Sequence, residues 1–319
     1  MKKNSCIVVT GANGLAGSAV VDHLRSQLYT CVVGLGREDC DLMDIKATRE
    51  AFERIRPQYV FHAAACVYGI GGNMKNQGKS FLENTLINTS VIDASSLVGV
   101  DRIVVMGTNA IYPRDAALPY HESSIFDGRP HPSESAYGHA KRGMLAMLEA
   151  YNESYGMNYC YIVSGNLYGP RDKFDPINGH VLPSMIAKFY EASLDDQKIV
   201  ALWGNGEPKR DFLFSKDLAR IAEMLLGYSA RGTINIGSGH TYAIKDVAKK
   251  LCDITGVPID RVWFDRDKPN GRMCCTSDLT RLSVTGFQPE FSLDRGLKET
   301  WDWYCGHQQR SAGASVPAH

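Results

Sequence analysis

No stretch of this 319-residue chain comes near the ~20 consecutive apolar residues of a membrane-spanning helix. No charge of one sign prevails either, since 35 Lys and Arg stand against 35 Asp and Glu. Without a basic excess or a basic run, neither a nucleic-acid partner nor an anionic membrane surface is expected. A metal-site pattern is missing too. Nine cysteines are scattered from Cys6 to Cys305, with no zinc-like spacing among them. Their odd number and scatter argue against a disulfide framework and fit reduced thiols in a cytoplasmic compartment. Near the amino terminus the apolar run Ile7-Val8-Val9 is too short for a secretion signal, and it leads straight into a glycine motif.

What is present is an alternation of short apolar runs and amphipathic stretches. Residues 6–10, 31–33, 59–63, 102–106 and 158–163 read as strands. Residues 19–28, 47–55, 81–97 and 137–155 read as helices between or after them. Continuous apolar strands separated by helices predict an α/β fold, a doubly wound parallel sheet of Rossmann type covered on both faces. After Asn166 the texture becomes rich in Gly, Pro, Asn and Asp. Helices are expected at 183–192, 217–226, 244–255 and 297–304, a strand at 233–236, and irregular chain between 255 and 297. The expected division is a cofactor-binding domain of residues 1–166 plus about 212–239 and a smaller mixed α/β substrate-binding domain of 167–211 plus about 240–308. Residues 309–319 are expected to form a loose tail.

Gly11-Ala12-Asn13-Gly14-Leu15-Ala16-Gly17 follows the first strand and opens the first helix. A pyrophosphate must approach the backbone closely at such a turn, and the helix amino terminus then faces its charge. Gly11, Asn13, Gly14, Leu15 and Gly17 are therefore candidate dinucleotide contacts. The second strand ends in Gly34-Leu35-Gly36-Arg37, with no acidic residue to grip a ribose 2′-hydroxyl. Arg37 suits a 2′-phosphate instead, which points to NADPH; Glu38 and Asp39 are close enough to pair with it. Asp41 and Leu42 are placed to hold adenine, and His62-Ala63-Ala64-Ala65 forms a small-residue wall, with Ala63 and Ala64 beside the cofactor.

Tyr137 and Lys141 lie one helical turn apart and so share a face. A nearby ammonium stabilises a phenolate, lowers the tyrosine pKa and suits Tyr137 to general-acid work. Thr108 offers a hydroxyl at the carboxyl end of the fourth strand, where open sheets bind ligands. Hydroxyl donor, acid and cation make a proposed triad.

The glycine turn and the Tyr-x-x-x-Lys pair resemble those of the extended short-chain dehydrogenases. The runs from Asn166 to Phe174, Asn178 to Pro183, Trp203 to Phe212 and Asp265 to Gly271 resemble the GDP-L-fucose synthases, and the likeness extends to about Tyr304. That resemblance implies NADPH-dependent reduction of a GDP-4-keto-6-deoxy sugar by a homodimer. It implies cofactor contacts at Lys141, Asn166 and Leu167, and substrate contacts at Asn109, Ala110, His180, Val181, Lys188, Trp203, Arg210 and Arg272. His180 would match the acid of a 3,5-epimerisation that precedes reduction. Cations at Lys188 and Arg210 would neutralise a diphosphate, and Trp203 would stack on the base.

Two positions depart from the pattern. The family cysteine that serves as the second epimerisation group is Ala110 here, which has no proton to exchange. A family lysine is Cys275, for which Arg272 is a candidate replacement. A GDP-sugar C4 reductase without 3,5-epimerase activity is the leading expectation. A nucleotide-sugar 4-epimerase holding NAD, and a non-catalytic NADPH-binding protein, are the rivals.

Overall fold

The computed structural model describes residues 1–67, 70–177, 179–228, 231–268, 270 and 273–313. In chain order the first half comprises β1 (Cys6–Thr10), α1 (Leu15–Ser26), β2 (Cys31–Leu35), α2 (Ile45–Ile55), β3 (Tyr59–His62), α3 (Ile70–Lys75), α4 (Gln77–Val98), β4 (Arg102–Met106), α5 (Ser135–Tyr155) and β5 (Tyr159–Ser164). The second half comprises β6 (Asn166–Tyr168), α6 (Val181–Leu194), β7 (Val200–Trp203), β8 (Lys209–Phe214), α7 (Ser215–Gly227) and β9 (Gly232–Ile236). It ends with β10 (Thr241–Ala243), α8 (Ile244–Thr255), β11 (Val262–Asp265), β12 (Cys274–Cys275), α9 (Thr280–Ser283) and α10 (Leu293–Gly313).

The apolar strands form one six-stranded sheet in the order β2-β1-β3-β4-β5-β9, parallel throughout. Alternate side chains of a strand face opposite sides, and here both sides are apolar. Val8, Val60, Ile103, Val105 and Val163 face a layer containing Phe52 of α2, Val91 of α4 and Leu148 of α5. Ile7, Val9, Phe61, Val104 and Ile162 face Leu24 of α1 and Leu225 of α7. A fully buried aliphatic or aromatic side chain contributes roughly 1.5–3 kcal/mol, so this two-sided core fixes the sheet before any loop is considered. The strand order reverses between β1 and β3, and the crevice at their carboxyl ends is where doubly wound sheets bind ligands.

The second core joins Tyr168, Phe189, Phe212, Phe214, Leu251, Leu297 and Tyr304. Around it β8 pairs with β6, β10 and β12, and β7 pairs with β11. Most of these strands are two to four residues long. They were invisible as sequence patterns because so short a run has no measurable period. The stretch expected to be irregular thus holds β11, β12 and α9. The last helix starts at Leu293 and continues through Gly313, into the stretch expected to be a loose tail. Among the described residues no helix is long and apolar enough to cross a membrane. All nine cysteines are free.

Candidate active site

The three glycines of the first turn are needed for different reasons. Gly11 has φ +67°, and a Cβ on it would lie 2.8 Å from the Ala64 nitrogen. A Cβ on Gly17 would lie 2.2 Å from the Gly11 carbonyl oxygen. Both are demanded by the protein's own packing. Gly14 is not, because its Cβ would meet only the Gly11 oxygen at an ordinary 3.5 Å. Gly14 also caps α1 with no side-chain hydrogen bond. The first turn of α1 therefore keeps its N–H groups and the space above them for an outside acceptor, which is the arrangement an anionic pyrophosphate requires. A dinucleotide fits the residues present. Leu15 begins the helix, and the Asn13 amide reaches to within 2.5 Å of where a Gly36 Cβ would stand, at the end of β2.

Arg37 is exposed at that same end, and its Nη2 approaches Cys66 Sγ at 3.7 Å, across the crevice beyond β3. The Asp39 carboxylate is occupied elsewhere, accepting the Gly36 N–H at 2.7 Å. Among the described residues Arg37 forms no ion pair with Glu38 or Asp39, so its charge remains available to a phosphate. Asp41 Oδ1 accepts the Met43 N–H at 3.0 Å. Leu42 is buried in the core under α2, which leaves its backbone for a base.

The wall beyond β3 is pinned from beneath. Thr10 Oγ1 accepts the Ala64 N–H at 3.2 Å and lies 2.7 Å from His62 Nδ1; His62 Nε2 lies 3.2 Å from Asn88 Oδ1. Burial, then the charge of Lys141, pulls His62 down to about 3. It is neutral, with Nε2–H donating to Asn88 and the Thr10 hydroxyl donating to Nδ1. His62 therefore holds Ala63 and Ala64 in place and does not face a ligand.

Thr108 leaves β4 in extended backbone, and its hydroxyl oxygen accepts the Ala110 N–H at 3.2 Å. Its own proton is left to donate. Lys141 is buried, and its ammonium donates to the Met106 carbonyl at 2.9 Å, tying α5 to the end of β4. The Tyr161 hydroxyl donates to the Lys141 carbonyl at 3.0 Å, and its ring fills the space a Gly107 side chain would need. These contacts bring Thr108, Tyr137 and Lys141 to one end of the sheet, with the lysine nitrogen 5.9 Å from the Tyr137 ring centre.

The expected depression of the tyrosine is not produced by this geometry. Burial pushes the Tyr137 phenol up, and the charges of Glu134 and then Cys66 push it further. Burial meanwhile pulls Lys141 down to about 8.

His180 caps α6. It is reachable by solvent, yet surrounding protein lowers its imidazole, opposed by Glu134 and assisted by Lys173. Glu134, at the start of α5, therefore acts on both Tyr137 and His180, and the sequence reading did not single it out. Its one signal was a carboxylate three residues before the tyrosine. Asp172 was also missed. Burial raises its carboxyl to about 6, and Oδ2 has no hydrogen-bond partner among the described residues.

Asn166 donates its amide to the Asp211 carbonyl at 3.2 Å, which joins β6 to β8, and Leu167 packs on the α1 side of the sheet. The Asn109 amide nitrogen lies 4.0 Å from where a Gly165 Cβ would be. Ala110 is 3 % exposed, and its carbonyl oxygen lies 2.6 Å from an imagined Cβ on Gly138, so α5 approaches this loop closely. Lys188 donates to the Ala201 carbonyl at 2.8 Å, placing it beside β7, whose last residue Trp203 is 57 % exposed. Val181 is exposed on the first turn of α6. Arg210 is half-buried on β8, where Nη1 donates to the Lys209 carbonyl at 2.8 Å, and Cys275 is its register partner. Arg272 lies outside the described residues.

A broad groove elsewhere is lined by His23, Lys216, Arg220, Glu223 and Phe291, and none of the candidate site residues contributes to it.

Residues 7–237 match the NAD dependent epimerase/dehydratase family. The chain belongs to that family. It is 35 % identical to the probable GDP-L-fucose synthase 1 of Oryza sativa subsp. japonica over 95 % of this chain and 92 % of that one. The GDP-L-fucose synthase of Escherichia coli (strain K12) is 32 % identical over 96 % and 98 % of the two chains. Among solved structures, the GDP-mannoheptose C4 reductase from Campylobacter jejuni with NADP bound superposes with a TM-score of 0.85 at 30 % identity, covering 96 % of this chain and 99 % of that one. The resemblance read from the sequence motifs is thereby established, as is the Rossmann-type parallel sheet.

Proposed function

We propose that this protein reduces the C4 ketone of a GDP-4-keto-6-deoxy sugar, hexose or heptose, with NADPH, and that it accepts the sugar without epimerising it at carbons 3 and 5. The observation that carries the reading is the buried Lys141 of α5, which donates to the Met106 carbonyl at the carboxyl end of β4 with its nitrogen 5.9 Å from the Tyr137 ring centre, while Thr108 follows the same strand end. Family membership and relatives named as GDP-sugar synthases and reductases support it.

Gly11, Asn13, Gly14, Leu15 and Gly17 would receive the pyrophosphate, Arg37 the 2′-phosphate, and Ala63, Ala64, Asn166 and Leu167 the nicotinamide end. NADPH supplies the hydride. Tyr137 gives its proton to the ketone oxygen as the alkoxide develops. Thr108 donates to the same oxygen with the proton its own acceptor contact leaves over. Lys141 holds a positive charge near the phenol as it loses its proton. Lys188, Arg210 and Trp203 supply cations and an aromatic face for the GDP moiety. His180 orients the sugar. Ala110 offers neither an acid nor a base, which supports reduction alone.

The reading includes a cytoplasmic homodimer. Phe81, Leu82, Leu86 and Leu97 of α4 and Tyr155 of α5 are exposed, and these two helices pack side by side, an apolar surface suited to a second copy.

The test is loss of NADPH absorbance with GDP-, UDP-, CDP- and dTDP-4-keto-6-deoxy sugars. The GDP sugars should show kcat/KM at least tenfold above the others, about 1.4 kcal/mol of discrimination. No NADPH consumption with any GDP sugar would overturn the reading.

A further inference from the structure

We propose that Phe174 is a positioning residue, seated against α10 so that the turn carrying His180 is held in place. Among the described residues, the connection between β6 and α6 contains no regular secondary structure, yet it must place His180. Phe174 in that connection stacks on Tyr304 with ring centres 4.4 Å apart and on Trp303 at 5.9 Å, both planes inclined by 26°. The stack continues in both directions. Trp303 lies over His307 at 5.0 Å, and Tyr304 meets Tyr190 of α6 edge-on at 5.2 Å. Offset aromatic pairs of this kind gain stabilisation beyond the apolar area they bury.

From Phe174 the chain is stitched to His180 by short contacts. The Asp175 N–H donates to the Lys173 carbonyl at 2.9 Å, and the Gly179 N–H donates to the Asp175 carbonyl at 3.0 Å. The Ile177 N–H donates to Asp175 Oδ1 at 2.9 Å, and Ser184 Oγ of α6 donates to the Pro176 carbonyl at 2.8 Å. A Cβ on Gly179 would lie 2.5 Å from the Asp175 oxygen, so the turn closes tightly just before His180. A ring fixed at one end of so compact a turn constrains the imidazole at the other. The inference rests on the reading of His180 as a group that faces the sugar. It assigns the carboxyl-terminal helix a part in the active site, although α10 itself supplies none of the candidate catalytic groups.

The experiment compares the unaltered protein with Phe174→Ala, Phe174→Tyr and Trp303→Ala. Backbone hydrogen exchange and steady-state kinetics are measured on each. In Phe174→Ala the amides of Asp175, Ile177 and Gly179 should exchange at least tenfold faster, while those of β4 and β5 keep their protection. Its kcat with the keto-sugar should fall about tenfold, with NADPH affinity within twofold of the unaltered protein. Phe174→Tyr, which restores a ring, should return both quantities to within twofold. Trp303→Ala removes the stack from the other side and should loosen the same amides, which keeps the test open if Phe174→Ala does not fold. Unchanged exchange in Phe174→Ala and Trp303→Ala would overturn the proposal, as would faster exchange with undiminished kcat. Should the unaltered protein reduce none of the keto-sugars, the functional reading falls, and the exchange comparison alone decides the clamp.

Discussion

An ammonium at 1 % exposure, donating to one carbonyl, is held at Lys141 against its own desolvation. Its folded-state pKa lies near 8, below the ordinary 10.5 of the unfolded chain. Below about pH 8 both states are charged and burial costs the fold its full penalty. Between about 8 and 10.5 the folded chain releases the proton first, and the penalty fades as pH rises. Lys141→Met should therefore raise stability at pH 7 by on the order of 1–3 kcal/mol, with a smaller gain at pH 10, while turnover falls by about 10²-fold or more. Thermal melts at the two pH values check the first statement, and a variant that melts lower at both would contradict it. In the unaltered protein turnover should decline as pH rises through about 8, where the ammonium is lost. Tyr137→Phe removes only the proton donor. It should leave NADPH binding intact and lower kcat by about 10²-fold, and undiminished turnover would mean that another group protonates the alkoxide. Arg37 should give NADPH at least a tenfold advantage over NADH in binding, about 1.4 kcal/mol. Arg37→Ala should erase most of it in a titration followed by cofactor fluorescence.

At the scale of elements, legibility followed length and periodicity. Cys6–Thr10, Arg102–Met106 and Ile244–Thr255 were readable because each is a continuous apolar run or a full amphipathic helix with its own signal. The helix beginning at Leu15 was placed four residues late, because Leu15 to Ser18 belong to the glycine turn as much as to the helix. The strands β6, β7, β10, β11 and β12 were not readable, since they are ordered by partners far away in sequence and not by their own pattern. The same division runs through the site. Gly11, Thr108, Tyr137 and Lys141 announced themselves by spacing. Glu134 and Asp172 became visible only when the fold put one beside two candidate catalytic groups and buried the other. The exposed apolar stripe of α4 predicts that Leu82→Glu with Leu86→Glu will shift the protein toward monomer in analytical ultracentrifugation. An unchanged sedimentation coefficient would remove that face from the dimer proposal.

For the molecule as a whole, the parallel sheet and the smaller core divide the chemistry. In the proposed reaction the sheet would supply the glycine turn, Arg37 and the triad, whereas Lys188, Trp203 and Arg210 would come from elements of the other core. Reduction as proposed would draw groups from both. Epimerisation would need one thing more, a second titratable group on the opposite face of the sugar, and Ala110 offers none. The most direct test of this account is the product formed from GDP-4-keto-6-deoxymannose and NADPH in D2O, analysed by NMR beside a no-enzyme control. We expect a sugar reduced at carbon 4 that carries no enzyme-dependent deuterium at carbons 3 and 5. Enzyme-dependent deuterium at both carbons would contradict it.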